Sequence, residues 1–82
     1  MQLNILTPDR TVFKGEAEKV TVPTRSGYIT ILPGHASLVS AIAPGEIRVT
    51  SKEGDRIFIA ERGVIETSET KTSILLRNCR EK

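Results

Sequence analysis

Aromatic residues, cysteine and long apolar runs are scarce in this chain of 82 residues, and each scarcity excludes something. Phe13, Tyr28 and Phe58 are the only aromatics, so a core has to be built from Ile, Val and Leu, which favour strands. The single cysteine, Cys79, excludes an internal disulfide, and with no CxxC motif it does not indicate a metal site. No apolar run approaches the roughly 20 residues that a membrane helix needs.

An excess of charge of one sign is also lacking. Twelve basic and ten acidic residues give a net charge of +2, and they are spread along the chain. Nucleic-acid binders usually concentrate basic residues on one face, often with aromatics between them, so no nucleic-acid partner is expected. The N-terminus does not resemble a signal peptide, because no basic region precedes an apolar stretch. A chain of this length supports one modest core, so residues 1–82 are expected to form one domain.

Motifs for catalysis and for nucleotide binding are absent too. His35 is the only histidine, and no G-x-S-x-G elbow surrounds the nearby Ser37 or Ser40. The six glycines form neither G-x-G-x-x-G nor a Walker loop, and the acidic residues form no calcium loop. We therefore expect no catalytic residue, no metal ligands, no cofactor and no small-molecule substrate.

Short apolar segments separated by turn residues fill the chain instead. Strands are predicted at residues 2–6, from 11–13 with an interruption at Gly15, and at 18–22, 28–32, 38–42, 46–51, 56–60, 63–67 and 72–76. Turn signals every 8–12 residues are typical of a sandwich or barrel. The prediction is an all-β fold, a small antiparallel β-sandwich of about ten short strands.

Three local patterns carry finer predictions. Residues 23–27 are expected to form a polar loop, and Gly54 to supply the positive φ of a hairpin turn. The continuous apolar residues 57–59 predict a strand covered on both faces. Alternation along 38–42 places Ser40 on one face with two apolar residues, and we expect a partner protein to cover that face.

The segment 27–49, GYITILPGHASLVSAIAPGEIRV, is the most informative part of the chain. Its two Pro-Gly pairs mark turns, and His-Ala follows the first pair. The segment resembles the N-terminal β-sandwich domain of the epsilon subunit of F-type ATP synthase, which reads G-x-x-G-I-x-P-G-H-A-P-L-x-x-x-x-x-P-G-x-x-R. The matching positions are Gly27, Ile31, Pro33, Gly34, His35, Ala36, Leu38, Pro44, Gly45 and Arg48. Thr30 and Ser37 depart from the pattern, standing where the family has Gly and usually Pro.

The resemblance extends over essentially the whole chain. Residues 13–16 and 18–23 resemble the family's start and second hairpin, and Arg62 replaces the first Gly of its G-G-x-x-E. Nothing after Leu76 resembles the C-terminal pair of helices that most members carry, so helix-mediated inhibition is not expected from this chain. The sequence leaves open whether the chain is a short epsilon subunit or the N-terminal part of a longer one.

The resemblance implies a non-catalytic rotor subunit of the central stalk, which couples ion-driven rotation to ATP synthesis. It would bind the gamma subunit and the c-ring, and touch the membrane only through the complex. That membrane would be a bacterial inner membrane, at its cytoplasmic face, or another energy-transducing membrane at the equivalent face. The implied gamma-facing residues are Thr7, His35 and Ser40. The implied ring-facing residues are Arg25, Ser26, Gly27, Tyr28 and Thr30, although the family often has an acidic residue where Tyr28 stands.

Two other classes of protein compete with this interpretation. A small β-barrel that binds single-stranded nucleic acid or sugar would need exposed aromatics for stacking, and this chain has few aromatics. A small hydrolytic enzyme would need partners positioned around His35, and the sequence offers no motif that positions them.

Overall fold

Every regular element of the chain is a β-strand, in a computed structural model that describes all residues from 1 to 82. The strands are β1 (Gln2–Leu6), β2 (Thr11–Glu16), β3 (Lys19–Thr24), β4 (Gly27–Ile31), β5 (Leu38–Ile42), β6 (Gly45–Ser51), β7 (Gly54–Ala60), β8 (Gly63–Thr67), β9 (Lys71–Leu76) and β10 (Cys79–Glu81). The predicted all-β class and the count of about ten short strands are confirmed. The chain has no helix long and apolar enough to cross a membrane.

The strands form two sheets of five, which we call sheet A and sheet B. Sheet A has the order β2-β1-β9-β8-β5, and sheet B has the order β10-β7-β6-β3-β4. All neighbouring strands are antiparallel except β1 and β9, which run parallel. The predicted antiparallel sandwich is therefore right apart from this one pair.

One aliphatic core lies between the two sheets. Fifteen buried apolar residues form a single cluster, and alternation selects them, as with Leu3 and Ile5 of β1, which are both fully buried. Phe58 is the only aromatic inside the cluster, and Phe13 packs against it edge-on with the ring centroids 6.2 Å apart. Ile, Val and Leu therefore form most of the core in place of aromatic residues.

Two predicted interruptions are shorter or absent in the structure. β2 runs through Gly15, and its irregularity lies at Val12, which is left unpaired because Ile5 pairs with Phe13 and Leu6 with Thr11. The predicted loop 23–27 is wrong, since β3 continues to Thr24 and β4 begins at Gly27. Only a two-residue turn separates these strands.

Local hydrogen bonds explain why this hairpin is so tight. The Thr24 hydroxyl donates to the Gly27 carbonyl oxygen at 2.6 Å and accepts from the Ser26 N–H at 3.2 Å. Gly27 has a φ of +117°, which a side chain would strain. Pro23 is tolerated in β3 because the pairing with β6 covers only Lys19–Thr21, so the missing N–H interrupts no ladder on that side.

The apolar triplet 57–59 in β7 is covered on one face only. Phe58 is fully buried, whereas Ile57 and Ile59 are half-buried on the outer face of sheet B. The prediction of a strand covered on both faces is wrong, because a two-layer sandwich has a single interior and alternation directs every second residue away from it. The φ of Gly54 is +111°, as the hairpin prediction required.

Candidate functional site

His35 lies in the turn that leads into β5. Its N–H donates to the Leu32 carbonyl oxygen at 3.1 Å, so Pro33 and Gly34 occupy the two central turn positions. The φ of +78° at Gly34 is what a type II turn requires at the second of these. The ring Nδ1 donates to the Ala36 carbonyl oxygen at 2.7 Å. The imidazole is thus held by its own turn, and it makes no hydrogen bond to a carboxylate or hydroxyl.

Ser40 lies on the interior side of β5, half-buried and paired with Ile65. It shares that side with Leu38 and Ile42, as alternation predicted, and Leu38 packs against the core cluster of which Ile42 is part. The interior of the sandwich accounts for these apolar neighbours, so they give no reason to place a partner on that face. The contact of Ser40 with another subunit stays a prediction.

Thr7 and His35 lie at opposite ends of sheet A. β1 ends next to Thr7, at the edge where Leu6 pairs with Leu75 and where β5 also finishes, whereas His35 precedes the start of β5. The Thr7 N–H donates to the Arg10 carbonyl oxygen at 2.9 Å and closes the turn between β1 and β2. The three predicted gamma-facing residues therefore do not form one compact cluster.

The outer face of sheet A carries an apolar row that the sequence analysis missed. Strand register aligns one residue from each of β5, β8, β9 and β1, and Val39 lies beside this row on β5. We call these residues the outer apolar face: Leu6, Val39, Ala41, Val64 and Leu75. Val39 is 66% exposed, Leu75 52% and Val64 41%. The sequence signal for this face was that each of these four strands has at least one apolar residue at an outward position.

The outer face of sheet B carries ion pairs and hydrogen bonds beside the half-buried Ile57 and Ile59. Arg48 contacts Asp55 at 3.1 Å, Lys82 contacts Glu46 at 2.9 Å, and the hydroxyls of Thr21 and Thr30 lie 2.9 Å apart. Hydrogen bonds from Thr50 and then Arg48 lower the pKa of the Asp55 carboxyl. On this face of sheet B two ion pairs and one hydroxyl pair therefore link neighbouring strands.

The predicted ring-facing residues lie together on the β3–β4 hairpin. Arg25 and Ser26 form the turn, Gly27 and Tyr28 begin β4, and Thr30 lies further along the same strand on the outer face of sheet B. Tyr28 is 62% exposed and is the only aromatic with an exposed side chain. One stacking residue does not make the aromatic platform that single-stranded nucleic acid requires.

A groove adjoins this hairpin at the same end of the sandwich. It has a volume of about 370 Å³, with Arg25 and Arg62 on its rim, and residues 41–44 complete its lining. The Arg62 carbonyl oxygen accepts a hydrogen bond from the Arg77 N–H at 3.1 Å, so a third arginine adjoins the groove. This end of the molecule therefore exposes several guanidinium groups.

Neither a metal site nor a reactive thiol is assembled. No group of three or more His, Cys, Asp or Glu residues lies close enough to hold an ion. Cys79 is 4% exposed, and burial raises the pKa of its thiol despite the opposing charge of Arg10. A protonated, buried thiol is a packing group rather than a nucleophile.

The chain is thus a small β-sandwich, and its exposed apolar face and its arginine-lined groove suit contacts with other proteins. Comparison with known proteins then identifies the family. The chain belongs to the family described as "ATP synthase, Delta/Epsilon chain, beta-sandwich domain", which matches residues 1–82.

Two curated relatives illustrate the match. The chain is 38% identical over 68 residues to the ATP synthase epsilon chain of Ruminococcus albus, covering 83% of this chain and 51% of that protein. It is 35% identical over 80 residues to the ATP synthase epsilon chain of Clostridium kluyveri, covering 96% of this chain and 61% of that protein. The chain thus spans between about half and three fifths of the length of these relatives.

A solved structure supports the fold. A chain of the Euglena gracilis mitochondrial ATP synthase, in a structure of its OSCP, F1 and c-ring, superposes with a TM-score of 0.89 at 23% identity. The match covers 96% of this chain and 51% of that chain. At this identity the likeness concerns the fold alone.

Proposed function

We propose that the chain is the β-sandwich part of a non-catalytic rotor subunit of F-type ATP synthase. In this role it binds the gamma subunit and the c-ring, and couples ion-driven rotation to ATP synthesis. The observation that carries the proposal is the outer apolar face of sheet A, on a domain whose family match spans residues 1–82. Exposed apolar patches of this kind are typical of protein–protein interfaces.

The construction of the domain suits the transmission of torque. Its 50 backbone hydrogen bonds lie mostly within the two sheets, and the sheets share one close-packed core. Close-packed interiors resist compression and transmit strain between their surfaces. The domain would act as a rigid connector at the cytoplasmic face of a bacterial inner membrane, or at the equivalent face of another energy-transducing membrane.

We assign the gamma subunit to the outer apolar face. Of the predicted gamma-facing residues, Thr7 borders this face because it follows Leu6 in the chain, whereas Ser40 lies on the interior side of β5. Burial of apolar side chains at the centre of such an interface supplies most of the binding free energy, and polar residues at its border exclude water. Thr7 would form part of that border, and the contacts of His35 and Ser40 with the gamma subunit stay separate predictions.

We assign the c-ring to the end of the sandwich that carries the β3–β4 hairpin. Arg25, Ser26, Gly27 and Tyr28 project there, and Thr30 lies beside them on β4. Tyr28 offers amphipathic contact area, and Arg25 offers a planar fork of donors. Contacts on two separate surfaces allow one rigid domain to hold the gamma subunit and the ring together.

A glutamate at the centre of the outer apolar face tests the proposal. Leu75 is 52% exposed, so Leu75→Glu should leave the fold intact in the free chain. In the complex it would strand a charge in an apolar interface, which typically costs several kcal/mol and should weaken gamma binding at least about 100-fold. The measurement is the affinity of the purified chain for the purified gamma subunit.

Ile57→Glu is the matched control on the other sheet. Ile57 is apolar, lies on the outer face of sheet B and pairs with Arg48. The Arg48 guanidinium can donate hydrogen bonds to the carboxylate that the substitution introduces. This variant should bind the gamma subunit as the unmodified chain does. A folded Leu75→Glu variant with undiminished affinity would remove the outer apolar face from the gamma interface.

A further inference from the structure

Charged side chains are sorted between the two ends of the sandwich. The end with the β3–β4 hairpin, which we call the arginine end, carries in its loops the residues Asp9, Arg10, Arg25, Glu61, Arg62 and Arg77. At the opposite end a groove of about 600 Å³ is lined by Glu16, Glu18 and Glu53, with Lys52 among them. The N-terminal ammonium group of Met1 also lines this groove, 3.2 Å from Glu16, and the net charge of +2 does not reveal the difference between the two ends.

None of the four arginines of the arginine end has a carboxylate partner within the molecule, and Arg10 donates to the Cys79 carbonyl oxygen instead. The four ion pairs of the chain involve the N-terminus, Arg48, Arg56 and Lys82. Arg25 and Arg62 instead line one groove, and the backbone bond from Arg77 to Arg62 sets the third arginine beside it. Elsewhere on the surface two of the three arginines, Arg48 and Arg56, are paired with carboxylates.

We propose that the groove between Arg25 and Arg62 receives a carboxylate side chain from an acidic segment of a partner protein. A guanidinium presents two parallel N–H donors that match the two oxygens of a carboxylate. The other lining residues, which include Ala43 and Pro44, carry no carboxylate that would compete for the two guanidinium groups. In the assembly proposed above the segment belongs to the membrane ring, and this part of the inference rests on that proposed function.

A protein carboxylate suits this end better than the headgroups of an anionic membrane. Recognition of anionic lipids typically uses clusters of about four to eight Lys or Arg residues. Here Asp9 and Glu61 share the end with the arginines, which reduces its net positive charge. The guanidinium groups also line a groove, and a side chain can enter a groove whereas the flat surface of a bilayer cannot.

A peptide titration followed by NMR tests the groove directly. The probe is a synthetic eight-residue peptide with two glutamates, and its control has glutamines in their place. The glutamate peptide should shift the Nε–Hε signals of Arg25 and Arg62 and the amide of Ala43, and the glutamine peptide should not. The combined variant Arg25→Glu and Arg62→Glu should bind at least about tenfold more weakly, because each exposed pair contributes a few-fold in affinity. Lys52→Glu, at the opposite end, is the control for a change of charge elsewhere.

The outcomes separate this inference from the proposed function. Equal shifts with both peptides, or no loss of affinity in the double arginine variant, would overturn the carboxylate site. So would arginine-dependent sedimentation with phosphatidylglycerol vesicles in the absence of peptide binding, since a lipid surface would then be the occupant. Gamma binding is measured in parallel: if it persists while the peptide fails to bind, only this inference falls. If the peptide binds but the unmodified chain has no affinity for gamma, the proposed function falls instead.

Discussion

Sheets A and B share one core but differ in what they present on their outer faces. Sheet B presents paired groups, such as Arg48 with Asp55 and Lys82 with Glu46. Sheet A presents Val39, Val64 and Leu75 without any cover. Because both sheets have the same interior to bury, the difference in their outer faces is not needed for folding. In the function proposed above, the outer face of sheet A is the side that contacts a partner.

The sheets also differ in how they are assembled from the chain. Sheet B consists of antiparallel pairs, two of them (β3–β4 and β6–β7) joined by tight turns. Sheet A also has two hairpins, β1–β2 and β8–β9, but its parallel β1–β9 pair brings residues about 70 positions apart into register, as with Gln2 and Lys71. Sheet A therefore depends on long-range pairing, which costs more loop-closure entropy than a hairpin does.

The largest expected effect comes from opening a cavity in the shared core from either side. Ile65 of sheet A and Ile47 of sheet B are both fully buried. Ile65→Ala and Ile47→Ala should each lower the free energy of unfolding by about 2–5 kcal/mol, because the lost contacts and the remaining cavity both count. Urea unfolding measures both variants. A loss confined to one of them would show that the two sheets do not unfold as one cooperative unit.

A smaller effect is expected from the one polar pair inside the core, which belongs to sheet A. The hydroxyls of Thr67 and Thr72 lie 2.7 Å apart, and these are the only buried polar residues. Thr72→Val should cost about 1–2 kcal/mol, because it removes one partner of a buried hydroxyl that keeps only its bond to the Ser68 carbonyl oxygen.

The double variant completes this test. Thr67→Val combined with Thr72→Val removes both hydroxyls and should recover most of the lost free energy of unfolding, since no buried hydroxyl then lacks its partner and the exposed Ser68 can bond to water. Urea unfolding of the two single variants and the double variant gives the coupling between the two side chains. Additive losses would mean that there is no coupling free energy between the two hydroxyls, and that their hydrogen bond does not stabilise the fold.

Local sequence patterns predicted the fold well where neighbours along the chain decide the structure. The turn from Leu32 to His35 and the alternation in β1 follow directly from proline, glycine and apolar spacing. The continuation of β3 through Pro23 could not be predicted in this way, because it depends on where β6 stops pairing. The parallel β1–β9 pair is likewise a consequence of packing across the whole chain.

The candidate surfaces were less accessible to sequence reasoning for the same reason. The outer apolar face is one row across four strands, and only their register shows that Ala41, Val64, Leu75 and Leu6 are neighbours. Arg25 and Arg62 lie far apart in the sequence and meet at one groove only after folding. The resemblance to the epsilon family directed attention to His35 and Ser40. His35 lies in the turn before β5 and Ser40 on the interior side of β5, so neither lies at the centre of a candidate surface.

The smallest expected effect concerns the rim, by which we mean the edge of the sandwich formed by β2 and β10. There Arg56 contacts aromatic rings of both sheets. Arg56 of sheet B lies 5.2 Å from the ring centroid of Phe13 in sheet A and 5.5 Å from that of Phe58 in sheet B. It also holds the Glu81 carboxylate through two hydrogen bonds of 2.7 and 2.8 Å. This pairing lowers the pKa of Glu81 below its ordinary value of 4.5.

The pH dependence of this rim contact follows from the sign of that shift. A carboxyl whose pKa is lower in the folded chain stabilises the fold above its ordinary pKa, and the contribution disappears as the pH falls through the lowered value. Glu81→Gln should therefore be slightly less stable than the unmodified chain near neutral pH, and the difference should close below about pH 4. Urea unfolding at a series of pH values measures it. A difference that stayed constant into strong acid would mean that the charge of Glu81 does not help Arg56 to hold the sheets together, and that the rim depends on the stacking of Arg56 over the two rings.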